Sequence, residues 1–292
     1  MIPIISRPGG AFNSPVISPI YINNPLSSIY PKIRVNFTRQ RRRIQASSLV
    51  LPLLPFPIQQ VLVPSEAKTI HLYEARYLAL LEESLLKNDV FVHFVLDPIV
   101  FGGTSIEGSF AARYGCLVFI EKVEQLQIGA LVSIRGVGRV KIVGFKQLQP
   151  YMTGEVIPLI DNFSSETTEI SSKVLQLKDA LFTLNSLEIK LKAPQEALLQ
   201  TQSTNSLLWA EKNLNLSSIK NFIPLITERL SFVGFQPVSG NTHSEVRALQ
   251  NAKLKAMDTK DTLERLDISM ELVKNNISMV AAKLAIQSLG VP

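Results

Sequence analysis

Few residues of this 292-residue chain are equipped for chemistry, and their spacing does not serve it. The three histidines, His71, His93 and His243, belong to no set of ligands at metal spacing, and Cys116 is the only cysteine. Intramolecular disulfides and Cys-rich zinc modules are therefore excluded. The chain holds no Gly-Lys dipeptide, so it cannot form a Walker A loop. It has neither a His-Glu-x-x-His motif nor a nucleophile elbow. Arg135-Gly136-Val137-Gly138-Arg139 looks like a phosphate loop, but it lies between two apolar runs and opens no helix. It reads as a hairpin or bulge whose glycines supply unusual backbone angles, with Arg135 and Arg139 in structural roles. Glu74 and Arg76 read as a pair that locks a helix start to a sheet. Cys116 falls inside an apolar run and reads as a buried, inert thiol. No catalytic residue, metal site or cofactor is expected.

One polar segment differs in kind. Gly102-Gly103-Thr104-Ser105-Ile106-Glu107-Gly108-Ser109 separates two strand-like runs and is long enough for a loop, either plain connecting chain or a carrier of binding specificity.

The elements that position these residues fall into two textures. From Leu49 to Leu159 short apolar runs alternate with Pro and Gly, which predicts strands at Val61–Val63, Val90–Leu96, Gly115–Val123, Leu131–Ile134, Arg139–Phe145 and Met152–Leu159. The prolines near Leu51 suit a chain entering an edge strand. Leu72–Leu86 has helical spacing, so this half reads as one amphipathic helix packed on a partly open barrel. Beyond Asp161-Asn162 the period lengthens. Ile170, Val174, Leu177, Leu181 and Leu184 mark a helix over Thr167–Leu187, and a second, Gln195–Leu214, carries Trp209, the only tryptophan. Thr242 and Glu245 have capping-box spacing. Leu263, Leu266, Met270, Val273, Ile277, Val280 and Leu284 then form a heptad seam, either a coiled-coil dimer or, preferred for so short a run, burial within the chain. Asp258-Thr259-Lys260-Asp261 could cap a new helix and make this region a helical hairpin.

Charge divides the chain differently. Residues 1–46 hold seven basic side chains, six of the 17 prolines and no carboxylate. The remainder has 23 basic against 24 acidic residues, so the +6 of the whole chain belongs to the leader. A body of net charge −1 gives thin cover for phosphates, and nucleic acid is not the expected partner. The acid-free opening resembles an organelle transit peptide, with Arg41-Arg42-Arg43-Ile44-Gln45-Ala46-Ser47 similar to a chloroplast processing site. The expected location is the chloroplast stroma, with the mitochondrion as alternative. No window offers 18 uninterrupted apolar residues, so a membrane-spanning helix is not expected.

Five strings carry a family resemblance. Leu51-Pro52-Leu53-Leu54-Pro55-Phe56-Pro57 with Val61-Leu62-Val63-Pro64 resembles the opening of the Lon protease N-terminal domain. Ile70-His71-Leu72-Tyr73-Glu74-Ala75-Arg76-Tyr77 resembles its next motif, departing at Ala75, where proline is usual. Gly115-Cys116-Leu117-Val118, Arg135-Gly136-Val137-Gly138-Arg139 and Pro150-Tyr151-Met152-Thr153-Gly154-Glu155-Val156 follow in the family's order. Ser206-Leu207-Leu208-Trp209 and the last helices are similar to small cyanobacterial Lon-domain proteins, relative to which 215–241 looks like an insertion.

The resemblance implies an α+β protein: a PUA-like, partly open β-barrel over 47–162, then a C-terminal helical bundle or hairpin over 163–292. It implies binding of unfolded or client polypeptides without catalysis. Full Lon proteases continue into an ATPase and a Ser-Lys protease, and the expectation here is a stand-alone module linked to protein quality control, serving a plastid protease or chaperone. The RING of Lon-domain ubiquitin ligases and the Cys-ligated zinc of cereblon-like relatives are ruled out by the single cysteine. Candidate peptide contacts are Tyr73, Tyr77, Gly102, Gly103, Ile106, Phe110 and Trp209. The alternatives are an RNA-binding PUA-like protein and an accessory subunit of an ATP-dependent peptidase.

Overall fold

Alternation between apolar faces builds the first half. A computed structural model describes residues 48–101, 104–162, 167–192, 201–214 and 216–289. The leader and Gly102-Gly103 lie outside the described residues, as do 193–200 of the second expected helix. Six strands form one sheet: β1 (Leu49–Pro57), β2 (Ala67–Leu72), β3 (Val90–Phe101), β4 (Thr104–Gln125), β5 (Ala130–Gln147) and β6 (Met152–Pro158). Their order is β2-β5-β4-β3-β1-β6, and β5 also pairs with β6. That second pairing bends the sheet into a partly closed barrel. Along β3, Phe91 and Val95 enter one core while Val90, Val92 and Phe94 enter the other. The period-2 pattern thus fills two apolar layers, one on each face of the sheet.

The expected strands Leu131–Ile134 and Arg139–Phe145 are one continuous strand, β5. Val61–Val63, by contrast, is buried but outside any strand. The chain extends one segment earlier, in β1, despite Pro52, Pro55 and Pro57. Nor is β1 an edge: Leu49–Leu53 pairs with β6 and Leu53–Pro57 with β3. The two ladders overlap only at Leu53, so every proline has one side free of a ladder and wastes no donor. The expected polar loop is also corrected. Its residues Thr104–Ser109 begin β4, and Phe101 pairs with Thr104 in a long hairpin.

Helix α1 (Ala75–Leu86) buries Tyr77, Leu80, Leu81 and Ser84 against the first core. The second half contains α2 (Thr167–Lys192), α3 (Gln202–Glu211), α4 (Ile226–Ser231), α5 (His243–Asp258) and α6 (Thr262–Ser288). Residues 216–241 are integral to it, with Phe222, Leu230, Phe232, Val233 and Phe235 buried. The capping box at Thr242 is formed, its hydroxyl accepting from the Glu245 amide while Glu245 accepts from that of Thr242. Asp261 caps α6. The helices α5 and α6 do not close on each other as a hairpin: most of the α6 seam faces α2, and only Ile268 and Leu272 of α6 pack against the core that α5 joins. Leu249, Ala256 and Met257 of α5 join the barrel. The α6 seam packs with Ile170, Val174, Leu177, Leu181 and Leu184 of α2, inside the chain. No helix among the described residues is long and apolar enough to cross a membrane.

Candidate functional site

At the junction of β2 and α1, Tyr73 is 40% exposed, its ring 5.5 Å from that of His71. His71 Nε2 lies 2.9 Å from the carbonyl oxygen of Ile128, itself 73% exposed, which makes a small apolar knob. The adjacent turn requires Gly129: at φ 81°, an added Cβ would lie 2.1 Å from the Leu72 oxygen. Tyr77, one turn along α1, is buried, and burial raises its hydroxyl pKa. Arg76 donates through Nε to Glu74 at 2.7 Å and lies over the Tyr77 ring. The pair is tied together at the surface rather than to the barrel. Ile106 and Phe110 are in β4, but their side chains lie outside the described residues, as do Gly102 and Gly103 entirely.

Trp209 corrects the expectation of a contact surface. It is 7% exposed, and the guanidinium carbons of Arg135 and Arg229 sit 5.7 and 5.8 Å from its ring centroid. Arg135 also donates to both Glu121 oxygens, to the Ser65 carbonyl and to Asn205 Oδ1. It thus ties β5 to β4, to the turn before β2 and to α3. Trp209 and Tyr77 belong to separate cores, so the structure does not bring these two expected contacts together.

Arg139 is the centre of a buried ionic cluster that spacing alone could not reveal. Its guanidinium donates to Asp161, to Glu228 at 3.1 Å, and to the carbonyls of Met257 and Thr259. Arg265 of α6 donates to Asp161 at 2.7–2.8 Å from a position 104 residues away. Two arginines and two carboxylates share one desolvated site, which cancels their formal charge. Burial, reinforced by Asp161, pushes the Glu228 pKa up. Burial and the neighbouring Arg139 lower that of Arg265 to about 10. The cluster joins the barrel to α4 and α6 and is inaccessible to a ligand.

The glycines between Arg135 and Arg139 act by size rather than by backbone angle. Neither has positive φ. A Cβ on Gly136 would lie 2.3 Å from the Val63 oxygen, and one on Gly138 2.6 Å from that of Phe222. The bulge is present: Leu117 pairs with Gly138 but Val118 with Gly136, which leaves Val137 as the extra residue.

Above Arg139 opens a cleft of about 370 Å³, bounded by Ala112–Gly115 of β4, Val140–Ile142 of β5, Leu159 and the end of α5. Arg113, Lys141 and Lys260 bring positive charge to it, and Asp258 brings negative charge. The Tyr114 hydroxyl donates to Asp258 at 3.0 Å. The described residues include no group of three or more His, Cys, Asp or Glu able to hold a metal. Cys116 is fully buried, and burial raises its pKa, so its thiol is not a nucleophile.

A family model described as the ATP-dependent protease La (LON) substrate-binding domain matches residues 50–233. No curated protein matches the chain. Among solved structures, a Lon N-terminal domain protein from Xanthomonas campestris is 18% identical, with a TM-score of 0.41, covering 75% of this chain and 95% of its own. The N-terminal domain of Mycobacterium avium complex Lon protease is 16% identical, also with a TM-score of 0.41, covering 78% and 99%.

Proposed function

Because the chain belongs to the family of the Lon protease substrate-binding domain, we propose that it binds unfolded or client polypeptide without acting on it chemically, as an adaptor in plastid protein quality control. The match over residues 50–233 carries this reading. Support for its non-catalytic part comes from the missing Gly-Lys dipeptide and from the burial of Cys116. The plastid location rests on the leader, which has seven basic residues, no acid and the Arg-Arg-Arg-Ile-Gln-Ala-Ser string. In this reading a protease or chaperone of the stroma receives the client.

The full chain is expected to bind fluorescein-labelled, reduced and carboxymethylated α-lactalbumin by anisotropy and to ignore the native protein, with no ATP hydrolysis and no cleavage. Equal affinity for both forms, or unaided turnover of either substrate, would refute the reading. A fluorescent protein fused to the C-terminus should accumulate in plastids of plant cells. Mitochondrial fluorescence would move the adaptor to that organelle.

A further inference from the structure

We propose that Lys68 is a site of covalent modification, where the side-chain amine takes an acyl group from a small thioester and becomes a neutral amide. This goes beyond polypeptide binding and does not depend on it. Strand β2 stands at the end of the sheet order. Its alternation sends Lys68 to the same face as Ile70 and Leu72, which enter the first core. A lysine therefore stands where the period calls for an apolar residue. Its ammonium lies 5.2 Å from the centroid of the Phe56 ring, which also stacks at 3.9 Å on the fully buried His93. Lys68 itself is only half-buried, so a small reagent can reach the amine.

The neighbouring groups leave that ammonium unpaired. Glu66 is the carboxylate whose charge acts on it, but both Glu66 oxygens are taken. Oε1 accepts from Lys253 at 2.5 Å and Oε2 from the Val63 amide at 3.1 Å. His93 supplies no counter-charge, because burial and the charge of Lys68 hold its ring neutral. Lys253 adds a second ammonium whose charge opposes that of Lys68. Burial first, and Lys253 after it, outweigh Glu66 and lower the Lys68 pKa to about 8. A partly desolvated amine beside another cation is the arrangement that makes lysine nucleophilic near neutral pH.

The step needs no reagent besides the thioester. The nitrogen lone pair attacks the carbonyl carbon and forms the N–C bond. The C–S bond breaks with its electron pair leaving on sulfur, and the proton lost from nitrogen ends on the thiolate. Charge selects this reagent. The amide is neutral, which relieves the cost of holding a half-buried, unpaired ammonium. Carbon dioxide would instead leave a carbamate anion beside the charge of Glu66.

The test treats the full chain with S-acetyl-N-acetylcysteamine, a small acetyl thioester, and follows each lysine by peptide mass spectrometry. Near neutral pH, Lys68 should be acetylated about tenfold faster than the exposed Lys190 and Lys220. Its rate should level off above about pH 8, while theirs climb to about pH 10. The treated protein should melt several degrees higher than the untreated one. Lys68→Arg, which keeps the charge and removes the reactive amine, should show no such gain. Lys253→Met, with an unchanged circular dichroism spectrum, frees Glu66 for Lys68 and should bring the Lys68 rate down toward that of the exposed lysines. Acetylation of Lys68 no faster than of Lys190 and Lys220, or an equal gain in the treated Lys68→Arg protein, would overturn the proposal. Carbamate at Lys68 in preference to the amide, detected with isotope-labelled carbon dioxide, would overturn the choice of reagent.

Discussion

Lys68 lies half-buried on β2, with its ammonium 5.2 Å from the Phe56 ring centroid. Burial lowers its pKa to about 8, Glu66 opposes the shift and Lys253 adds to it. In the unfolded chain the group keeps its proton to about 10.5. Below pH 8 both states are protonated and the burial penalty is constant. Between pH 8 and 10.5 the unfolded state binds more protons, so stability from this group rises with pH. Lys68→Met should therefore stabilise the protein at pH 7 by about 2 kcal/mol. Urea denaturation should show that gain shrinking at pH 9.5, and a pH-independent gain would refute the assignment. In the ionic cluster, Arg265→Met strands buried carboxylates and should cost about 3–5 kcal/mol in the same assay. Glu228→Gln should cost clearly less, because burial and Asp161 raise the Glu228 pKa, so the fold stabilises its charge less than water does. Equal costs would refute that asymmetry.

Among the strands, close approach between segments matters as much as pattern. Gly136 and Gly144 share β5 and test this directly. A Cβ at Gly136 would collide with the Val63 oxygen, whereas one at Gly144 would meet nothing within 4 Å. Gly136→Ala is expected to cost about 1–3 kcal/mol by forcing the backbone apart. Gly144→Ala should stay within about 0.5 kcal/mol of wild type. Thermal melts of the two variants provide the comparison, and similar losses would show that backbone freedom, rather than space, selects glycine here. The helices follow the same logic. The seam of α6 was legible as a heptad, but its partner is α2, about 90 residues earlier in the chain by the Lys173–Asp267 contact.

At the scale of the molecule, two units are joined by buried ions. Lys253 of α5 donates to Glu66 at 2.5 Å, 187 residues away, and the Arg139 cluster joins the barrel to α4 and α6. The ends of α2 and α6 are matched in direction. Lys173 near the start of α2 meets Asp267, while Glu188 accepts from the Ser239 amide beside Gly240, whose oxygen accepts a hydrogen bond from Lys283. Because the seam is satisfied within one chain, the melting temperature should not depend on protein concentration. Calorimetry at two concentrations differing about tenfold checks this. A clear rise with concentration would place the seam between chains.

The residue pattern alone was enough for the α+β class, the barrel-then-helices order and the capping box at Thr242. Each depends on period or on neighbours within a few positions, where side-chain direction is set by the local backbone. It was not enough for β1, where prolines suggested an edge, nor for Trp209, whose burial follows from Arg135 and Arg229. The ionic cluster and the inward role of Gly136 were decided only in three dimensions. Each joins segments tens of residues apart, and no local period records which distant atoms meet once the apolar faces have closed.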